Sequence, residues 1–185
     1  MKMILPLLMF TMLSNVCSAQ VEFRSTSAGK LHFEAVGRPA MIKIKGESMA
    51  PKTVLTFNDG KTSLESHLDL NLLDTGIDLR DEHMKEKYLE TKKYPKAKLV
   101  ISSLKLPVDW EKNTGSVSEQ EFEGTLDLHG KISPVKGTFS LNDKREASAE
   151  FKIKMTDFNI EIPEYLGIKV ADLVTVKTQI QLEKQ

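Results

Sequence analysis

The sequence predicts an all-β domain: an antiparallel barrel with one short helix, residues 79–90, closing one end. Three observations point there. Hydrophobic and polar residues alternate with period two over most of the chain, as in strands with one buried face. Leu64, Ser66, Leu68, Leu70 and Leu72 share a face, and Glu65, His67, Asp69 and Asn71 take the other. Several such stretches run to eight or more residues, beyond the usual strand length of about five to six. Only one segment, near the middle, carries helical spacing. A sandwich and a barrel both obey the alternation. The long strands favour the barrel, because about eight of them just enclose a small ligand while burying alternate side chains.

Residues 1–19 read as a secretory leader. Lys2 supplies the positive end, Met3 to Leu13 is almost unbroken apolar, and Cys17-Ser18-Ala19 places small residues at a cleavage site. The apolar run is too short to span a bilayer, which needs ~20 residues. Lipidation at Cys17 competes with simple cleavage after Ala19, but Ser14-Asn15-Val16 fits a lipoprotein cleavage box poorly. Export therefore places the mature protein in a periplasm or outside the cell. Residues 20–185 show no repeat or linker and read as one domain.

Shorter strands are expected at 21–25, 31–36, 40–46, 53–57 and 97–106, and long ones after Phe122, Val135, Ala147 and Val174. Asn58-Asp59-Gly60, Asn113-Thr114-Gly115 and Asn142-Asp143 mark turns. Asp109–Gln120 reads as a polar, flexible hairpin connection holding the lone tryptophan, Trp110. Tyr94-Pro95 and Pro134 read as strand-entry devices, since proline cannot donate to a central ladder. In the helix, Asp78 is the expected N-cap and Asp81 follows in the first turn, where carboxylates are favoured. Met84 and Tyr88 share a face. Arg80 is expected to pair with a carboxylate such as Asp74.

The net charge is 0 with interspersed signs, which gives no electrostatic reason for nucleic acid. The single cysteine leaves with the leader, so no disulfide, thiol nucleophile or thiolate metal site is expected. Gly-x-Ser-x-Gly and phosphate-loop patterns are lacking. Asp81, Glu82 and His83 are adjacent, so on a helix they diverge by about 100°, whereas a one-helix metal site wants ligands four apart. A metal site would need His83 to meet His129 through the fold. No catalytic residues, metal or cofactor are expected, and His32, His67 and His129 read as polar-face residues. Tyr88 and Tyr94 are candidates to present a hydroxyl to a ligand.

The string DTGIDLRDEHM (74–84) with KYP (93–95), the strand EGTLDLHGKISPV (123–135), and MTDFNI (155–160) before the Val-rich final strand resemble the YceI-like family. FEAVGRPAMIKIKG (33–46) stands where that family's pattern has a His-Gly pair. The resemblance implies an exported, lipocalin-like barrel whose lumen holds a polyisoprenoid, quinone-like or fatty-amide ligand. From alternation alone, a filled core is the simpler reading; the resemblance reverses it. The implied lumen wall is Leu68, Leu70, Leu72, Leu99 and Ile101 from the first half. Leu126, Leu128, Phe139, Phe151, Ile153, Val174 and Val176 follow from the second, with Met84 and Tyr88 from the helix. Gly124, Ala147 and Ala149 are consistent with a partly empty interior. The implied partner is an apolar lipid. Transient membrane contact and pairing of two chains over a long ligand are compatible with it. A filled barrel acting as an envelope stress or interaction protein is the alternative.

Overall fold

The computed structural model describes residues 20–38, 42–58, 60–107, 110, 115–165 and 167–185. The leader-like segment, the turn residues Asp59, Asn113 and Thr114, and much of the Asp109–Gln120 connection lie outside them. Eleven strands are described: β1 (Val21–Arg38), β2 (Ile42–Met49), β3 (Lys52–Asn58), β4 (Lys61–Asp69), β5 (Lys96–Ile101), β6 (Val117–Leu128), β7 (Lys131–Leu141), β8 (Glu146–Lys154), β9 (Glu164–Tyr165), β10 (Ile168–Val170) and β11 (Leu173–Lys184). The order β11-β8-β7-β6-β5-β4-β3-β1 returns to β11 through a β1–β11 pairing, so eight antiparallel strands close a barrel. Closure removes the exposed edges that an open sheet would leave.

The two short strands expected at 21–25 and 31–36 are one long strand. β1 stays continuous because a register shift between Ser25 and Gly29 absorbs the extra residues, with Gly29 at φ 118°. Its first part pairs with β3 and its later part with β2, so β2 and β3 together act as one partner strand bent at Ala50-Pro51. The turn after Leu141 forms as expected: Asn142 Oδ1 accepts from the Lys144 and Glu146 amides. Pro134 differs from expectation, lying inside β7 opposite Thr125. It is tolerated because β8 pairs only with Gly137–Leu141, so the proline's missing donor falls on an unpaired edge.

The two ends of the barrel are built differently. At the β3–β4 hairpin end the interior is filled. Phe23, Leu55 and Trp110 are essentially inaccessible, and Leu104, Leu141 and Leu182 join them. Phe23 and Trp110 rings lie 5.1 Å apart, and Phe57 stacks on Trp110 at 5.7 Å. The indole Nε1 donates to the Gly115 carbonyl at 2.9 Å, so the polar end of the ring is satisfied. The Arg145 guanidinium lies over the Phe23 ring, 5.2 Å from its centroid. Trp110 is thus not part of a polar connection but the plug of this end. The small inward residues do not hollow the barrel either. A Cβ on Gly124 would come within 2.6 Å of the Val100 carbonyl, so that glycine permits close strand approach. Ala147 and Ala149 pack against the core.

Candidate functional site: an apolar chamber under a helical lid

The other half of the barrel is hollow. It encloses a chamber of about 500 Å³ with an almost wholly apolar wall, within the usual range for ligand pockets. The lid over it begins where β4 stops. Asp69 accepts from the Asn71 amide, and residues 70–72 form a single 3-10 turn. The Leu70 amide donates to the Pro95 carbonyl, and Asp74 exchanges both backbone hydrogen bonds with Glu47 of β2. The lid helix follows as α1 (Asp78–Glu82), continued by a π-helical turn, His83–Tyr88. Its extent matches the expected 79–90 closely. The wider turn, closed by the Leu89 amide on the Met84 carbonyl, brings Leu89 onto the cavity face with Met84 and Tyr88.

The helix start is tied differently from the sequence expectation. The N-cap position is Ile77, and Asp78 is the first helical residue, with no capping bond from the side chain at Ile77. Asp81 reaches back instead, accepting from the Thr75 amide at 2.9 Å and its hydroxyl at 2.5 Å. Burial pushes the Asp81 carboxyl up, but the two Thr75 donors, together with smaller contributions from Asp74 and Lys85, hold it below the usual aspartate range. Arg80 does not pair with Asp74. Its Nε donates to the Thr75 hydroxyl and its Nη2 to the Thr75 carbonyl, while Asp74 Oδ1 takes the Gly76 amide. Thr75 is therefore the knot of the lid, because the turn before the helix folds back under it.

The lid's far end is also tied. Glu90 contacts His129 Nε2 at 2.7 Å, and His129 Nδ1 meets the Phe158 carbonyl at 3.1 Å. Tyr94 packs edge-on to the His129 ring at 4.7 Å. His129 is thus no polar-face residue: it links the lid to a second flap, the 3-10 turn Met155–Phe158. Asp172 holds that flap through the Thr156 amide and hydroxyl.

Most of the residues expected from sequence surround the chamber. Leu68, Leu70, Leu99, Leu126 and Leu128 line it, as do Phe151, Ile153, Val174, Val176, Met84 and Tyr88. Three do not. Leu72 is 49% exposed, because the 3-10 turn breaks the strand's alternation and turns Leu73 inward in its place. Ile101 and Phe139 are buried in the filled half, one step deeper than the residues that line the chamber. Tyr94 is spent on His129 and does not line the wall.

Sequence reasoning missed two parts of the wall. The first is Leu31, Phe33, Ala35, Ile42 and Ile44 of β1 and β2, where the sequence departs from the family pattern. Their alternation was a sufficient signal. The second is Ile160, Pro163, Ile168 and Val170, from segments too short or irregular to carry a sustained pattern; Met155 beside them ends the alternation that runs from Ala147. Ile42, Ile77 and Leu79 both line the chamber and stand about half exposed, so they form the rim of its mouth. The polar side chains Thr75, Arg80, His83 and Glu164 also belong to the lid and flap. Deeper in, Ser66 is engaged by Thr53 at 2.8 Å. Thr178 also lines the chamber, and its hydroxyl is buried without a hydrogen-bond partner among the described residues. No cluster of three or more His, Cys, Asp or Glu among the described residues is placed to hold a metal.

The model of the YceI-like domain matches residues 19–182. No curated protein matches the chain significantly. Among solved structures, the chain is similar to a polyisoprenoid binding domain from Saccharophagus degradans implicated in plant cell wall breakdown. That match has 18% identity and a TM-score of 0.65, covering 89% of this chain and 98% of the other. Burkholderia cenocepacia BcnA matches at 20% identity and TM-score 0.62, covering 84% and 96%. A Campylobacter jejuni YCEI protein matches at 16% identity and TM-score 0.56, covering 77% and 85%. At these identities the structures share the fold, while the domain model spans nearly the whole described chain: this protein belongs to the YceI-like family.

Proposed function

We propose that this chain is an exported lipid-binding protein that holds a long apolar molecule, of polyisoprenoid, quinone-like or fatty-amide type, in the barrel chamber. The observation that carries this reading is the half-hollow barrel itself: one end is packed with aromatic rings, and the other keeps an apolar void under a tied lid. A polar substrate would lose its hydration against that wall and gain few partners. An aliphatic chain gains ~0.8 kcal/mol for each methylene buried, so about a dozen offset the ordering costs of association. The solved relative described as polyisoprenoid binding supports the same ligand class. The leader-like residues 1–19 support export. The apolar rim of Ile42, Ile77 and Leu79 suits a mouth that meets a lipid surface when ligand is exchanged.

Solvent extraction and mass spectrometry of natively purified protein test the proposal, together with displacement of a fluorescent lipid probe. The expected result is a co-purifying neutral lipid and displacement by a prenyl alcohol or a fatty amide. Protein free of lipid that binds neither compound refutes the carrier reading.

A further inference from the structure

We propose that Glu90, His129 and the Phe158 carbonyl form a one-proton latch between lid and flap, closed while the proton is present and open on the lid side once it is lost. The latch follows from the geometry; its effect on ligand release rests on the lipid-binding reading above. Both ring nitrogens of His129 face oxygen: Nε2 lies 2.7 Å from the Glu90 carboxylate and Nδ1 3.1 Å from the Phe158 carbonyl. A carbonyl only accepts, so Nδ1 must carry an N–H to make its bond. The other bond then needs a further proton between Nε2 and Oε2, because a bare ring nitrogen and a carboxylate are both acceptors. Either atom can hold it. Imidazolium beside carboxylate and neutral imidazole beside carboxylic acid contain the same number of protons. The closed latch therefore binds one proton more than a neutral histidine beside an ionised glutamate.

Loss of that proton to solvent leaves one N–H for two acceptors, and the surroundings decide which acceptor loses it. Phe158 is 1% exposed, so a carbonyl left unpaired there costs more than one that water can reach. The Glu90 side chain is 44% exposed and is hydrated when released. The N–H therefore stays with Phe158, the bare Nε2 faces the carboxylate, and Glu90 lets go. The flap keeps separate ties to the barrel: Asp172 accepts from the Thr156 amide and hydroxyl, and the Ser133 hydroxyl donates to the Asp157 carbonyl at 3.0 Å. Glu90 and His129 both stand at positive φ, 45° and 54°, a conformation that a non-glycine residue keeps when its surroundings hold it. The other groups around the ring are Tyr94, edge-on at 4.7 Å, and Lys93, which lies over the Tyr94 ring and acts on it and on Glu90. Lys131 reaches Asn159 at 3.4 Å, and Asp157 is exposed on the flap.

The test is hydrogen exchange at the lid-end amides of Leu89, Thr91 and Tyr94, corrected for intrinsic exchange, from about pH 5.5 to 8.5, the range in which histidines titrate. Release of a fluorescent lipid probe is followed over the same range, in which Asp81 stays ionised. In the wild type, protection is expected to fall and release to quicken as pH rises, by about threefold to tenfold, the weight of one partly exposed charge-assisted hydrogen bond. Glu90→Gln replaces the carboxylate by an amide whose N–H donates to the bare Nε2. This variant closes without the extra proton, so its protection should stay high and its release slow at every pH. Glu90→Ala removes the partner, so its lid end should be open, with fast release, at every pH.

A wild-type lid end whose protection does not change across the range overturns the proposal. So does a Glu90→Gln variant that keeps the wild-type pH response, or one as open as Glu90→Ala. A probe that the wild type does not bind at any pH refutes the carrier reading instead, and the exchange data still decide the latch.

Discussion

Trp110 shows how one side chain decides which half of the barrel is solid. It comes from a stretch whose sequence is polar and turn-like, yet it is fully buried between Phe23 and Phe57. A large ring with a satisfied N–H brings more apolar area into the core than any neighbour could. Trp110→Ala is expected to cost about 3–5 kcal/mol, read as a lowered midpoint in urea unfolding. The chamber lies at the opposite end, so the folded variant should keep its lipid-probe affinity. Leu72 makes the complementary point. Alternation marked it as inward, but hydrogen bonds at Asp69 and Pro95 start a 3-10 turn and hand the inward position to Leu73. Period-two reasoning holds only while the strand lasts.

At the scale of elements, the lid was legible as a helix but not as a tethered one. The acidic first turn, the Met84–Tyr88 spacing and Pro95 mark its extent. The Thr75 knot, the π-turn and the His129 link depend on partners that no local pattern names. The Asp81 carboxyl, held low by Thr75, makes the front tether pH dependent. Because the folded state lowers this pKa, its stabilisation is present above the ordinary aspartate range and is lost as pH falls through about 4 and below. Dissociation of a bound lipid probe from wild type is therefore expected to quicken between pH 5 and pH 3. Asp81→Asn should already release the probe faster at pH 7, with a weaker response to acid. Identical pH profiles for the two proteins would count against the tether.

For the molecule as a whole, the proposed lipid-binding function rests on the division into a packed half and a hollow half. Val174 lines the chamber and is only partly buried. Val174→Trp places a large ring in space that the wild type leaves empty, so the barrel should fold with unchanged far-ultraviolet circular dichroism. Its lipid-probe affinity is expected to fall by about tenfold or more, as apolar contact with the ligand is replaced by contact with the ring. Retention of full affinity would place the bound lipid elsewhere.

The sequence by itself determined the strand class, the antiparallel barrel, the single helix, the neutral charge and which apolar residues face inward. All of these follow from local periodicity, spacing and composition. Only the tertiary structure decided how far the interior is filled. Inward-facing leucine, valine and phenylalanine carry the same signal whether they meet one another or leave a void between them. That outcome depends on close strand approach at Gly124, on the register around the barrel, and on Trp110, which comes from outside the strands. Such contacts join residues far apart in the chain, and no window of sequence contains both partners.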